Sequence, residues 1–127
     1  GEIRSLEIIV NILAAKANHT GDKTILKSLF HVMNEVIEYT SPELKSDLDK
    51  SDPGRPWRML NFNFAIVATR TLEKELMTRA FDTLGRNLPE DCPQFFEEGL
   101  IQSEKAEYGS EIKIIMTEYF QKWAILH

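Results

Sequence analysis

The residues best suited to bind an anion lie in the stretch DPGRPWRMLNFNFAIVATR, residues 52–70. A Pro-Gly pair predicts a turn, and Pro56 stands where proline favours the start of a helix. The first backbone amides of such a helix point outward at its positive end, where anions bind. Arg55 and Arg58 flank that end, and Trp57 can stack on a planar group. The stretch therefore predicts a contact for a phosphate, a carboxylate or an acidic partner at Arg55, Trp57 and Arg58.

A structural interpretation of the same residues is also open. The two arginines can pair with nearby carboxylates at Asp47, Asp49 or Asp52. Trp57 begins an apolar run and can be buried as the first large side chain of a central helix. We expect Trp57 to be mainly structural, and Arg55 and Arg58 to mark the contact surface.

Two asparagines interrupt the apolar run. Asn61 and Asn63 lie about 200° apart on a helix, so they cannot share one face. We expect at least one of them to be a buried amide that is hydrogen-bonded to a neighbouring helix, because buried polar groups are almost always bonded.

The remaining candidates for chemistry are isolated. His31 and Glu35 are one helical turn apart with Glu38 close by, but no second histidine-bearing segment completes a metal site. Cys92 is the single cysteine, so it excludes an internal disulfide and has no adjacent histidine base. Gly-x-Ser-x-Gly, phosphate-binding glycine-loop and His-Glu-x-x-His patterns are not present. We therefore predict no cofactor and no metal, and a function that is not enzymatic.

The elements that must position these residues are helical, since apolar residues recur every three or four positions and do not alternate. Capping and stop residues divide the chain, with Asp22 as the N-cap of the second segment. A short surface helix is also predicted after Pro42. The six main segments are residues 2–18, 23–40, 57–68, 71–87, a fifth that follows a link over residues 88–93 and ends near Gly109, and a last one capped by Ser110.

Each main helix is expected to bury one apolar face, except the helix over residues 57–68, which is apolar on most sides. The stripe predicted for the first helix is Ile3, Leu6, Ile9, Leu13 and Ala17. The stripe predicted for the second helix is Leu26, Leu29, Phe30, Met33, Val36 and Ile37. The residues predicted to face inward from the helix over residues 71–87 are Leu72, Leu76, Met77, Ala80, Phe81 and Leu84. The stripe predicted for the last helix, as core, is Ile112, Ile115, Met116, Tyr119, Phe120 and Trp123.

This order predicts an all-α, compact bundle of about six helices, arranged as three successive helical hairpins. A short stack of hairpins of the HEAT or armadillo type is the alternative, but no repeat of fixed period aligns across the three pairs. At 127 residues a single domain is expected, spanning 1–127. The start at Gly1 without methionine is what we expect of an added first residue or of a domain cut from a longer protein.

Charge and composition restrict the partners. The chain has a net charge of −5, with 6 basic and 8 acidic residues over 1–51, 6 and 4 over 52–87, and 3 and 8 over 88–127. A net acidic chain without a basic stripe is a poor nucleic-acid binder, because phosphate contacts supply most of the non-specific affinity. No stretch is long and apolar enough for a membrane span, and one cysteine fits an intracellular, cytoplasmic setting.

These features favour a non-catalytic helical domain that binds protein, either a partner or a second copy. The alternative is a helical bundle with a pocket for a small organic or anionic ligand near Trp57 and Arg58, with enzymatic activity as an option. A polar-lined cavity there would favour the pocket, and an exposed apolar surface would favour protein binding.

Overall fold

The computed structural model describes the backbone of residues 2–40 and 56–126 and the side chains of residues 5–40 and 56–125. Within these ranges the chain forms six α-helices and one short 3₁₀ helix, with no β-strand. The predicted all-α class and helix number are therefore confirmed. The short surface helix predicted after Pro42, and Arg55, lie outside the described residues.

The helix bounds agree with the predicted segments to within a few residues at most ends. The helices are α1 Glu2–Asn18, α2 Lys23–Tyr39, α3 Trp57–Arg70, α4 Lys74–Asn87, the 3₁₀ helix Pro89–Asp91, α5 Cys92–Lys105 and α6 Ser110–Leu126.

The chain divides into two compact units, Gly1–Thr71 and Leu72–His127. The boundary falls between α3 and α4, the pair predicted to form the central hairpin. The assignment of a single domain stays a prediction.

In the first unit, the most extensive packing is that of α2 against α3. Asp22 caps α2 as predicted: its Oδ1 accepts from the amides of Thr24 (2.8 Å) and Ile25 (3.2 Å). The rings of Phe30 and Phe64 stack across the helix pair with centroids 4.7 Å apart. Five of the six residues predicted to face the core from α2 are buried, and only Val36 is partly exposed.

Polar side chains join the helix ends of this unit. The guanidinium of Arg70 donates to the carbonyl oxygen of Ala17 at 2.6 Å and to that of Thr20. Lys23 donates in turn to the carbonyl oxygen of Arg70 at 2.8 Å. Two cations thus satisfy carbonyls at or beyond the C-terminal ends of α1 and α3, where the helix dipole favours positive charge.

In the second unit, α5 packs most extensively against α6, with aromatic side chains between the helices. The ring of Phe81 meets those of Phe96 and Tyr119 edge to face, with centroids 5.0 and 5.1 Å away. Gly99 makes the close approach possible, since a Cβ there would lie 2.9 Å from the sulfur of Met116. A larger residue at this position would require the Met116 side chain to shift.

Two predicted helix ends are wrong. The fifth helix ends at Lys105, not near Gly109. Glu107 adopts a left-handed conformation with φ 55°, its amide donates to the carbonyl of Glu104, and the amide of Tyr108 donates to that of Ser103. These bonds form a Schellman cap that ends the helix before the glycine. The last helix includes Ser110, because the carbonyl of Gly109 accepts its first hydrogen bonds.

The predicted break after α3 is confirmed. Thr71, Leu72 and Glu73 separate α3 from α4, so α4 begins three residues later than expected. Leu72 has φ 59° and is 43% exposed, although we predicted that it faces inward with α4. The left-handed conformation is the reason, because it ends the helical register and places this side chain outside the α4 stripe.

Candidate functional site

The predicted anion contact lies at the start of α3. Pro56 occupies the N-cap position with helical φ and ψ of −68° and −13°, and Trp57 is the first helical residue. The indole of Trp57 is only 1% exposed, so its ring surface is not open to a ligand. This burial is what the structural interpretation of Trp57 expects.

Arg58 follows in the first turn of α3. Its side chain is half-buried, and the guanidinium carbon lies 5.7 Å from the ring centroid of Phe62. That distance is within the range of a cation–π interaction. Trp57 and Arg58 thus both lie at the start of α3, and the Arg58 guanidinium lies over the Phe62 ring. Anion binding by Arg55 and Arg58 stays a prediction.

The two asparagines differ in burial. Asn61 is buried and donates to the carbonyl oxygen of Trp57 at 3.0 Å. Asn63 is half-buried and donates to the carbonyl oxygen of Met59 at 2.9 Å. One asparagine is buried as predicted, but these bonds go to the preceding turn of the same helix. Asn61 therefore helps to hold the N-terminal turn of α3.

α1 carries apolar side chains on two sides. Leu6, Val10 and Ala17 are buried. Ile8 and Ile12 are 49% and 61% exposed, and Ile9, which we predicted to be part of the buried stripe, is 42% exposed. In helical projection these three isoleucines lie within about 100° of one another: Ile8 and Ile12 lie about 120° or more from the buried residues, and Ile9 lies at the border with them. We call Ile8, Ile9 and Ile12 the isoleucine face.

A groove of about 440 Å³ lies between α4 and α6 of the second unit. Its volume is within the range of small-molecule sites. Gly85 shapes its wall, since a Cβ there would lie 2.8 Å from Cζ2 of the Trp123 indole. The residues that line the groove are Phe81, Asp82, Gly85, Arg86, Lys122 and Trp123.

Two exposed cations stand at this groove. The ammonium of Lys122 lies 5.8 Å from the ring centroid of Tyr119 and 5.9 Å from that of Trp123. The guanidinium of Arg86 donates to Oγ1 of Thr83 at 3.2 Å, a bond that uses one of its five N–H groups. With one carboxylate at Asp82, the formal charge of the lining is about +1. The groove is thus locally cationic in a chain of net charge −5.

The carboxylate of Asp82 accepts a hydrogen bond of 2.7 Å from the hydroxyl of Tyr119. Burial is the main cause that raises the pKa of Tyr119, followed by the hydrogen bond to Asp82 and the negative charge of that carboxylate. The phenol therefore stays protonated well above its ordinary range, and it donates to Asp82 at neutral pH.

Comparison with protein-family models, with curated proteins and with solved structures found no match to this chain.

Cys92 is buried and His31 is exposed. Burial, followed by the charge of Asp91, raises the pKa of Cys92 to about 12. At neutral pH it is a thiol, which is a poor nucleophile. His31 is exposed and meets the ring of Phe30 edge to face at 5.3 Å.

The described residues hold no group of three or more potential metal ligands, and none of their helices is long and apolar enough to cross a membrane.

Sequence reasoning missed the groove because it assigned Trp123 to the core stripe of α6. Ile112, Ile115 and Met116 are buried as predicted, but Trp123 is half-buried. The available signal was Gly85. A glycine inside a helix costs about 1 kcal/mol relative to alanine, and it often marks close packing by another side chain.

Proposed function

We propose that this chain is a non-catalytic helical domain that binds protein, and that its isoleucine face binds a second copy of the chain. The observation that carries the proposal is the double apolar character of α1. One side of the helix supplies the core, and the other presents Ile8, Ile9 and Ile12 to solvent. Clustered exposed apolar side chains mark protein interaction surfaces more often than isolated ones do.

The isoleucine face is suited to an antiparallel pair of α1 helices. Ser5 and Lys16 lie one helical turn from Ile9 and Ile12 on the same side, and both are exposed. If the helices cross near Val10, each Lys16 lies about 9 Å from the crossing point, at 1.5 Å per residue. The two ammonium groups are then roughly 18 Å apart, beyond the screening length of about 8 Å. A parallel pair would instead place the two lysines side by side.

The size of the face predicts a weak dimer. Stable interfaces bury about 800 Å² per partner, and three half-exposed isoleucines supply only part of that area. We expect self-association with a dissociation constant of about 10 μM to 1 mM, the range of weak complexes.

The test is sedimentation equilibrium of the whole chain from about 10 μM to 1 mM. We expect the average mass to rise towards that of a dimer for the parent chain. The double variant Ile8→Gln/Ile12→Gln should stay monomeric, because it removes two of the three apolar side chains of the isoleucine face. It should still fold, because both side chains are exposed and glutamine is a good helix former. Ile114→Gln is the matched control, since Ile114 is 56% exposed on α6.

A parent chain that stays monomeric to 1 mM would overturn self-association, and so would a dimer that the double variant retains. The parent chain could instead stay monomeric and bind an identified protein. If the double variant loses that binding and Ile114→Gln keeps it, the occupant of the face is that protein and not a second copy.

A further inference from the structure

We propose that the groove between α4 and α6 binds a small aromatic carboxylate. The groove shares no residue with the predicted contact at Arg55 and Arg58 or with the isoleucine face, because every residue that lines it belongs to the second unit. The proposal does not rest on self-association.

The aromatic part of the ligand is inferred from the walls of the groove. Trp123 and Phe81 both line it; Phe81 is fully buried, whereas Trp123 is half-buried, so the accessible aromatic surface belongs to Trp123. Gly85 lets the benzo edge of the indole lie directly on the backbone of α4. An indole fixed in this way provides a rigid surface for a planar ring, with little side-chain entropy left to lose on binding.

The anionic part is inferred from the cations. Lys122 precedes Trp123 on α6, and Arg86 follows Gly85 on α4, so a positive group stands on each helix at the groove. Arg86 keeps further N–H donors in a planar fork that fits a carboxylate. Asp82 disfavours a second negative charge on the ligand. A lining charge of about +1 therefore matches a monoanion better than a phosphate dianion.

The site also explains why the Tyr119 hydroxyl and Asp82 are paired. The bond to Tyr119 engages one oxygen of the Asp82 carboxylate at the groove. This hydrogen bond fixes the orientation of the Asp82 carboxylate and disperses part of its negative charge. The carboxylate therefore repels an incoming anion less strongly.

The probe is 2-naphthoate, a planar monoanion, followed by ¹H–¹⁵N NMR of the indole N–H groups. The chain has two tryptophans, so its two indole signals are assigned with one variant, Trp123→Phe. We expect the Trp123 signal to shift saturably, with a dissociation constant of about 1 mM or lower for a ligand of this size. The signal of the buried Trp57 should stay in place.

Arg86→Gln and Lys122→Gln should each weaken binding about five- to tenfold, because each removes one charged contact. Lys105→Gln is the matched control: Lys105 is exposed at the end of α5, and its loss changes the net charge equally. The neutral amide 2-naphthamide should bind at least fivefold more weakly than the acid, and inorganic phosphate should not shift the Trp123 signal.

The proposal is overturned if 2-naphthoate gives no saturable shift up to about 20 mM, some twentyfold above the expected constant. It is also overturned if the amide binds as well as the acid, if phosphate alone reproduces the shift, or if Lys105→Gln weakens binding as much as Lys122→Gln does. Gly85→Ala adds a second test with a different physical cause: its Cβ must displace the indole, so binding should fall although no charge has changed.

Discussion

Tyr119→Phe tests the polar contact at the groove, because it removes one hydroxyl and keeps the ring. The ring packs edge to face against Phe81 and in a tilted arrangement on Phe96, with centroids 5.1 and 5.4 Å away, and phenylalanine preserves both contacts. The hydroxyl donates to the Asp82 carboxylate at 2.7 Å. A hydrogen bond to a charged group contributes about 1.5–3 kcal/mol. Because the tyrosine is half-exposed, we expect a loss of about 1–2 kcal/mol at pH 7.

The same contact predicts how this loss depends on pH. The pKa of Tyr119 is raised in the folded chain, whereas in the unfolded chain it is about 10. A group with a raised pKa contributes its full stability below the unfolded value and loses it as the pH rises towards the folded value. The difference between the parent and Tyr119→Phe should therefore be constant from about pH 6 to pH 9 and should shrink above about pH 10.

The assay is urea unfolding followed by circular dichroism at pH 7, 9 and 10.5. Tyr39→Phe is the control, because Tyr39 is 92% exposed and should change the free energy of unfolding by less than about 0.5 kcal/mol. The reasoning is refuted if Tyr119→Phe is as stable as the parent at pH 7, or if the difference between them does not shrink by pH 10.5.

Two further substitutions test the fold. Trp57→Ala should lower the free energy of unfolding by about 3–5 kcal/mol, because the indole is 1% exposed. Arg58→Ala should lower it by about 1 kcal/mol or less, through the loss of the contact with Phe62. A urea midpoint of Trp57→Ala equal to that of the parent would contradict the structural role of Trp57. Glu107→Gly should raise the stability by about 1 kcal/mol, because glycine adopts the left-handed φ of the α5 cap without cost, and Glu107→Ala, which keeps a Cβ, should not give this gain in the same urea measurement.

The sequence was sufficient for the elements whose signals agree with one another. In α2, the Asp22 cap and the spacing of the apolar residues point to the same helix and the same buried face, and both predictions are confirmed. α1 is different, because five of the six residues over 8–13 are apolar and only Asn11 is polar. Periodicity alone does not then choose a single face, and the contacts of α1 with α2 and α3 decide that Val10 is buried and Ile9 exposed.

The end of α5 shows a second limit of local patterns. Gly109 has the residue type most common beyond a helix end, yet the left-handed position is taken by Glu107. The helix ends where the amide of Tyr108 reaches the carbonyl of Ser103, and Ser103 is itself buried. Tertiary packing thus sets the position of the cap, although glutamate disfavours a left-handed backbone. Glu107→Gly measures the free energy of unfolding that this conformation costs.

The two tryptophans show why the candidate site was not predictable from residue types. Trp57 stands beside Arg58, and Trp123 stands beside Lys122, so both pairs join a cation to an indole. Trp57 lies in a helix that is apolar on most sides, so its ring is buried and its partner cation rests on Phe62. Trp123 lies in the last two turns of α6, where the ring is half-buried against a glycine and the exposed Lys122 ammonium lies 5.9 Å from its centroid. The position of the Trp123 ring, on which the proposed groove site relies, depends on Gly85, 38 positions away in the sequence. Spacing within one helix cannot supply this information, because it is a property of the contact between two helices.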